Sequence, residues 1–412
     1  MIRKILITVT LFFGFVSIAQ QGTSSPYSFY GIGDIKFKGS VENHSMGGLS
    51  VFKDSIHLNL QNPASFSELK LTTFSVGGNY NNNTISAASA NESAKRTSLD
   101  YLAVGLPFGK YAVSFGVIPY SSVGYKIQSI NAAVTEQNTY GGTGGINKVF
   151  AGAAYNLNEN WSIGATFEYN FGKITSTSTF TTSNYQSGTQ EINTSNGHGA
   201  NVVAGLMYQS KFKGKMQYFG ALSFRPESTL TFDNQRIIST LPYVTGNTII
   251  TLDGDAVKST LNLSNKLSIG FGLGHIRKWQ IGTEFIWQQS SNFGNRFNFT
   301  NNTSYENGSK IIIGGFYIPK FNSYTNYFQR VTYRGGLNYQ NTGLVINGKS
   351  IKEQNISLGL GLPLTGTFSN LNIGFEFGKR GTRLAGLIQE NYTNLSIGLS
   401  FNDKWFVKRR FD

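Results

Sequence analysis

Apolar residues alternate with small or polar residues along many short segments of this chain, and this period of two restricts its fold more than any other feature. Between residues 395 and 401, every second residue is Leu, Ile or Phe, and the residues between them are Ser or Gly. Successive side chains of a strand point to opposite faces, so such a segment predicts a strand with one apolar face. Matching patterns occur at residues 161–171, 267–273, 356–362 and 371–377. The chain is therefore predicted to be all-β.

The N-terminus predicts export. Residues 1–19 are arranged like a signal peptide: Arg3 and Lys4 come first, an apolar stretch follows, and small residues precede a cleavage site after Ala19. An uncleaved anchor is less favoured because the apolar stretch is shorter than the ~20 residues that span a bilayer. Beyond residue 19 no comparable stretch occurs. A membrane chain of this kind can satisfy all its backbone hydrogen bonds in lipid only as a closed β-barrel.

The charge content agrees with a barrel wall. Only 14% of residues are charged, against about a quarter in soluble domains, and none interrupts the apolar faces described above. A soluble β-sandwich would also alternate, but its polar face would carry more charge. The formal net charge is +14, and the basic residues are scattered, which favours contact with anionic lipid head groups over nucleic acid. Cysteine is absent, which excludes disulfides and thiolate metal sites.

The connections between the predicted strands differ in length at the two ends of the wall. Short turns alternate with long polar segments, such as residues 121–146, 172–197 and 227–264, which are predicted to be loops. Short turns are typical of the periplasmic side and long loops of the outside. This alternation predicts a transmembrane antiparallel barrel of about fourteen strands over residues 70–401, in a Gram-negative outer membrane. Residues 402–412 are predicted to be a basic periplasmic tail.

Residues 20–69 do not alternate and contain motifs of another kind. They include Ser25-Pro26-Tyr27-Ser28, Met46-Gly47-Gly48, the acidic Asp54, and Asn62, Pro63 and Ala64 just before the first strand. In these features the chain resembles the FadL-like (OmpP-type) outer-membrane transporter family. The resemblance implies a fourteen-stranded barrel in which residues 20–69 form an N-terminal hatch inside the lumen, with Asn62, Pro63 and Ala64 as its motif.

Both ends of the chain also resemble an uncharacterised branch of such barrels in the Bacteroidetes lineage. The C-terminus departs from the family pattern, in which the last strand ends on an aromatic residue, because eleven residues follow Phe401. Either Phe406 or Phe411 takes that role, or a tail extends into the periplasm.

The inner face of the predicted wall carries ionisable residues. If the apolar sets face lipid, five charged residues point into the lumen: Glu168, Glu284, Glu376, Arg330 and Arg334. Charges inside a membrane wall often mark a pathway. Ion pairs that hold the hatch in place are the alternative and the favoured interpretation.

Three functions from different classes remain open. The resemblance implies passive uptake of hydrophobic or amphipathic small molecules through the lumen. A FadL-like barrel of this lineage is also similar to the accessory barrel of a type 9 secretion translocon, which docks on a large secretion-system barrel. An outer-membrane hydrolase is least favoured, because no nucleophile motif occurs and the four histidines fit no zinc pattern. The chain is thus predicted to be a non-enzyme without cofactor or metal, whose partners are outer-membrane lipids, a small ligand or another barrel.

Overall fold

The computed structural model describes residues 22–405 except 88–89, 132–135, 183–184, 213, 243–248 and 293–301. The predicted signal peptide and most of the predicted tail lie outside these residues. The described chain is all-β and forms a closed antiparallel barrel of fourteen strands, which confirms the predicted fold class. The last strand pairs with the first from Thr72 opposite Asp403 to Ser86 opposite Gln389, and this pairing closes the wall.

The wall strands are numbered here in chain order, and four of them are interrupted. They are β1 Thr72–Ser86, β2 Asn91–Phe108, β3 Tyr111–Pro119 with Ser121–Asn131, β4 Glu136–Asn156, β5 Trp161–Thr182, β6 Ser187–Phe212, β7 Met216–Arg225 with Ser228–Pro242, β8 Ile249–Asp253, Val257–Leu263 and Lys266–His275, β9 Trp279–Gln288, β10 Thr303–Tyr305 with Gly308–Tyr317, β11 Thr332–Ile346, β12 Lys349–Pro363, β13 Asn370–Gly381 and β14 Gln389–Asp403.

Exposure along the strands follows the period of two in the sequence. In β12, Ile356 and Leu358 are 54% and 53% exposed, whereas Ser357 between them is 1% exposed. Such exposed aliphatic side chains repeat around the wall and form a surface that contacts lipid hydrocarbon. Many inner residues are small or polar, and large apolar ones such as Phe150 and Ile312 pack in clusters with residues 22–71.

The polar segments predicted to be loops are in fact paired strands. Strands β4, β5 and β6 are 21, 22 and 26 residues long, about twice the ~9–11 residues that cross a bilayer. The ladder between β4 and β5 runs without a break from Glu136 opposite Thr182 to Asn156 opposite Ser162. The prediction of loops was wrong because Ser, Thr, Asn and Gly on both faces of a strand look like loop composition. Outside lipid, however, both faces of a hairpin can be polar.

The chain before the wall, residues 22–71, is called the N-terminal segment. It contains the 3-10 turn Pro26–Phe29, the two-residue strand Asp34–Ile35, helix α1 Val41–His44 and the 3-10 turn Pro63–Glu68. Helix α1 contacts β12 to β14, and the turn Pro63–Glu68 contacts β4 to β6 on the other side of the wall. The segment therefore lies across the lumen.

Three further 3-10 turns, Ser290–Asn292, Tyr327–Gln329 and Leu384–Gly386, lie between wall strands. None of the helices in the described part of the chain is long and apolar enough to cross a membrane.

Candidate functional site

Glycines of the wall let the N-terminal segment approach closely. A Cβ added at Gly314 or Gly336 would lie less than 3.0 Å from the backbone of Met46. Gly47 itself has a φ of +76°, a conformation that other residues rarely adopt, and its N–H donates to the Ser357 hydroxyl at 2.7 Å. The Met-Gly-Gly stretch is thus a turn that rests on a glycine surface of β10 and β11.

The Asn-Pro-Ala motif docks on the opposite side of the lumen. The side-chain oxygen of Asn62 accepts from the N–H of Ala64 at 3.1 Å and caps the 3-10 turn, while its amide nitrogen donates to the carbonyl of Leu222 at 3.1 Å. A Cβ at Gly164 or Gly205 would lie less than 3.0 Å from Pro63. The motif therefore joins the N-terminal segment to β5, β6 and β7.

Glu284 of β9 binds the middle of the N-terminal segment. It is 2% exposed, and its carboxylate accepts from the backbone N–H of Ser50 at 2.7 Å and from the Ser50 hydroxyl at 2.8 Å. The hydroxyl of Ser268 donates to the same carboxylate. A buried carboxylate with several donors is satisfied without a cation.

Carboxylates of β12 and β13 form a cluster with basic side chains of the N-terminal segment. Lys38 Nζ lies 2.6 Å from Glu353 Oε1 and 3.5 Å from Glu376 Oε1, and His44 Nε2 lies 3.0 Å from Glu376 Oε2. Arg380 extends the cluster through Asp34, at 2.7 Å. These ion pairs cross from the segment to the wall.

The five charged residues predicted to line the lumen do not form one group. Glu168 of β5 pairs with Lys148 of β4 at 2.7 Å, on strands that hold none of the Glu376 cluster. Arg334 of β11 donates to Asn372 at 2.8 Å, four positions before Glu376 on β13, and does not contact Glu376 itself. Arg330 corrects the prediction: it ends the 3-10 turn Tyr327–Gln329 between β10 and β11, with its guanidinium 5.4 Å from the ring centre of Tyr327. It lies outside the wall strand because the turn delays the start of β11 to Thr332.

The sequence analysis missed five residues of the ion-pair network, namely Asp34, Lys38, His44, Glu353 and Arg380. Two of them could have been found from the alternation of inward and outward side chains along a strand. Glu353 is an even number of positions from the inward Ser357, and Arg380 is an even number from the inward Glu376. The other three lie in the N-terminal segment, whose sequence does not alternate.

A second charged group lies within the N-terminal segment. His57 Nδ1 is 2.8 Å from Asp54 Oδ2, and its Nε2 is 3.7 Å from Glu42 Oε1. Burial disfavours the imidazolium, but Asp54 and Glu42 outweigh burial and raise the pKa of His57 above its usual value. Burial likewise disfavours the Asp54 carboxylate, yet the contact with His57 lowers its pKa to about 2. The two side chains stabilise each other as an ion pair.

A cavity of about 290 Å³ lies between the N-terminal segment and the wall. Its walls combine aromatic and aliphatic side chains, such as Tyr120, Leu263 and Ile286, with charged ones. Six cations line it: Lys38, Lys148, Arg225, Lys266, Lys310 and Arg380. Three carboxylates line it: Asp34, Glu168 and Glu353. The lumen therefore offers an apolar and strongly cationic space.

The wall beside this cavity is interrupted where β3 breaks at Tyr120. The first part of β3 pairs with β2 only between Leu102 and Phe108, and the second part pairs with β4 and with the short strand Asp34–Ile35. In the part of the chain that the structure describes, the ladder between β2 and β3 ends at Leu102 opposite Val117. The barrel is thus closed near its short turns and open between β2 and β3 farther along.

Comparison with known proteins assigns the family. The model of a family described as BamG matches residues 1–412. The chain belongs to the BamG family. No curated relative matches this BamG-family chain in sequence.

Solved structures resemble the BamG-family chain in fold. The Pseudomonas putida toluene transporter TodX is 13% identical with a TM-score of 0.61, over 90% of this chain and 100% of TodX. The Ralstonia pickettii toluene transporter TbuX is 13% identical with a TM-score of 0.58, over 88% and 98% of the two chains. A Pseudomonas aeruginosa FadL homologue is 12% identical with a TM-score of 0.59, over 89% and 98%.

These neighbours are channels and transporters, not enzymes, and at such identities they show the fold alone. The fold is that of an outer-membrane β-barrel, which places the BamG-family chain in an outer membrane. Among the described residues, no three His, Asp or Glu side chains are placed to hold a metal ion.

Proposed function

We propose that this BamG-family barrel passes small hydrophobic or amphipathic molecules across the outer membrane without an energy source. Two observations carry the proposal: the cavity of about 290 Å³, and the break in the wall between β2 and β3, whose ladder ends at Leu102 opposite Val117. A molecule dissolved in lipid can reach such a cavity through the wall, without crossing the long polar hairpins. The printed names of the similar structures, toluene transporters among them, support the same substrate class.

The N-terminal segment is the hatch in this proposal. It lines one side of the cavity, and ion pairs and hydrogen bonds hold it rather than any disulfide, since the chain has no cysteine. Each such contact can break and re-form, so the segment can shift without unfolding the wall. Passage then requires contacts such as that between Asn62 and Leu222 to open.

A reversible cross-link tests whether the segment moves. A Cβ at position 398 would lie 3.0 Å from that of Val41, close enough to the ~3.5–4.5 Å span of a disulfide for the pair Val41→Cys and Gly398→Cys to be joined. We expect vesicles with the oxidised double variant to take up an apolar dye no faster than empty vesicles. Reduction should restore uptake, and each single cysteine variant serves as the matched control.

Two results would contradict the proposal. Uptake at the uncross-linked rate by the oxidised protein would show that the hatch does not move, and absence of uptake by the unmodified protein would exclude transport. In the second case, purification together with a large barrel partner would support the docking role in its place. Deletion of residues 20–69 separates the hatch from the wall, and we expect an assembled but leaky barrel.

A further inference from the structure

Two cations face each other across neighbouring strands in the lumen. Arg225 of β7 and Lys266 of β8 are directly opposite in the ladder, and both line the cavity. Lys310 of β10 lines the same cavity and interacts electrostatically with Lys266. Like charges directly opposite on paired strands destabilise a sheet. Three cations at this place in the wall require negative charge nearby to compensate them.

Neutral groups supply the hydrogen bonds that these cations do make. The Arg225 side chain is 8% exposed, donates to the Tyr120 hydroxyl and to the Ser264 carbonyl at 3.1 Å each, and its buried Nε has no hydrogen-bond partner. In the part of the chain that the structure describes, Lys266 and Lys310 form neither an ion pair nor a side-chain hydrogen bond. A buried cation without a carboxylate is costly.

The carboxylates nearby are engaged elsewhere. Glu353 is bound by Lys38, and Glu376 by His44. Glu168 is bound by Lys148 and interacts with Arg225 only at longer range. Glu284 interacts with Lys266 at longer range, but it does not line the cavity, and the donors on its oxygens come from Ser50 and Ser268. The cavity therefore keeps an excess of three positive charges over its own carboxylates.

We propose that Arg225, Lys266 and Lys310 form a binding site for a phosphate-class dianion, either free or as the head group of an amphiphile. A guanidinium binds two phosphate oxygens in a fork, and the two ammonium groups add point charges. The Tyr120 hydroxyl, which accepts from Arg225, is free to donate its proton to a third oxygen. A carboxylate carries one charge and would leave two of the three cations uncompensated.

The proposal goes beyond transport and does not require it. A phosphate ester bound in the lumen could be a cargo, or it could be a resident lipid that stabilises the barrel. Failure to bind phosphate would not argue against uptake, and failure of uptake would not argue against this binding site.

Thermal unfolding of the full chain in a non-ionic detergent tests the site. We expect inorganic phosphate, dodecyl phosphate or both to raise the Tm of the protein in phosphate-free buffer. Lys266→Gln should raise the concentration needed by about tenfold or more, because one charged hydrogen bond is lost. The same variant should melt higher than the unmodified protein when no phosphate is present, because one of two opposed charges is gone.

The control is Lys258→Gln, on β8 but exposed and outside the cavity, which should change neither result. If Lys266→Gln fails to assemble, Lys310→Gln replaces it, because Lys310 lines the same cavity and has Ile286 and Gln340, not a cation, opposite it in the ladder. Binding of inorganic phosphate as tight as that of dodecyl phosphate indicates a free anion, whereas binding of dodecyl phosphate alone indicates a head group.

Three results would overturn the site. They are no Tm increase with either probe, equal responses of the position 266 and position 258 variants, and dodecanoate binding as tightly as dodecyl phosphate.

Discussion

Lys38 of the N-terminal segment and Glu353 of β12 form an ion pair with 2.6 Å between Nζ and Oε1, although 315 positions separate them in the chain. The hydroxyl of Tyr392 donates to the same carboxylate oxygen at 2.7 Å. The Glu353 side chain is 8% exposed, so water screens the pair weakly. This contact joins the part of the molecule proposed to move to the part that stays in the membrane.

Glu353→Gln should loosen the N-terminal segment and leave the wall intact. Removing one partner of a buried ion pair costs about 3 kcal/mol at most here, since Lys38 is 26% exposed and keeps Glu376 at 3.5 Å. Hydrogen exchange followed by mass spectrometry should show faster exchange around Lys38, while β12 and β13 keep their protection. The matched control is Glu191→Gln, whose partner Arg236 is 52% exposed, and a surface pair contributes under about 1 kcal/mol. Equal effects of both variants would contradict the anchoring role.

Gly336→Ala should displace the Met46 turn, because the added methyl group would lie less than 3.0 Å from the Met46 backbone. Overpacking of this kind costs about 1–3 kcal/mol. The neighbouring Gly335→Ala provides the control, since its methyl group would meet nothing nearer than 3.8 Å. We expect dye leakage through reconstituted barrels to rise for the first variant alone. Leakage that is the same in both would show that the glycine surface does not position the segment.

Ile397→Arg should impair assembly, because Ile397 is 49% exposed on the lipid face of β14. An arginine near the bilayer midplane costs about 2–4 kcal/mol. Val257→Arg places the same side chain on an exposed position of the long β7–β8 hairpin and should assemble normally. Heat-resistant folded protein on a gel measures the outcome. Normal assembly of the Ile397 variant would mean that the exposed apolar band is not in lipid.

The ion pair of Asp54 and His57 predicts a pH dependence in the N-terminal segment. The pKa of His57 is raised, so its contribution is complete below its usual value of 6.5 and is lost as pH rises through the higher folded value. The pKa of Asp54 is lowered to about 2, so its contribution is present above its usual 3.8 and is lost as pH falls toward 2. The segment should therefore be held best between about pH 4 and 6.5.

Hydrogen exchange around residues 54–57, corrected for the intrinsic rate, measures this dependence. We expect protection to fall between pH 6 and pH 9 in the unmodified protein. Asp54→Asn should lower the pKa of His57 and shift that fall to lower pH, and His57→Gln should remove it. A fall that persists unchanged in the His57 variant would assign the titration to another group.

Much of the wall follows from the sequence by itself. Side chains alternate between lipid and lumen along a strand, so the residues that contact lipid can be recognised locally. The alternation of Ile356, Ser357 and Leu358 already shows this. Strand number follows from the same repeats together with the short turns between them. The N-terminal segment could be told apart for the same reason, because it lacks the period.

The site needed the tertiary structure. The partner of Lys38 lies across the lumen, and Arg225 and Lys266 face each other from neighbouring strands. No local pattern encodes which charges meet there. Parity gave the direction of Glu376 but not its pairing with His44, and it misplaced Arg330 because a 3-10 turn delayed the strand. The sequence did not indicate the full length of the strands either. Strands of a polar hairpin outside lipid satisfy each other's backbone hydrogen bonds and need no apolar face. The cavity and its unmatched cations exist only because closing the barrel brings distant strands around one space.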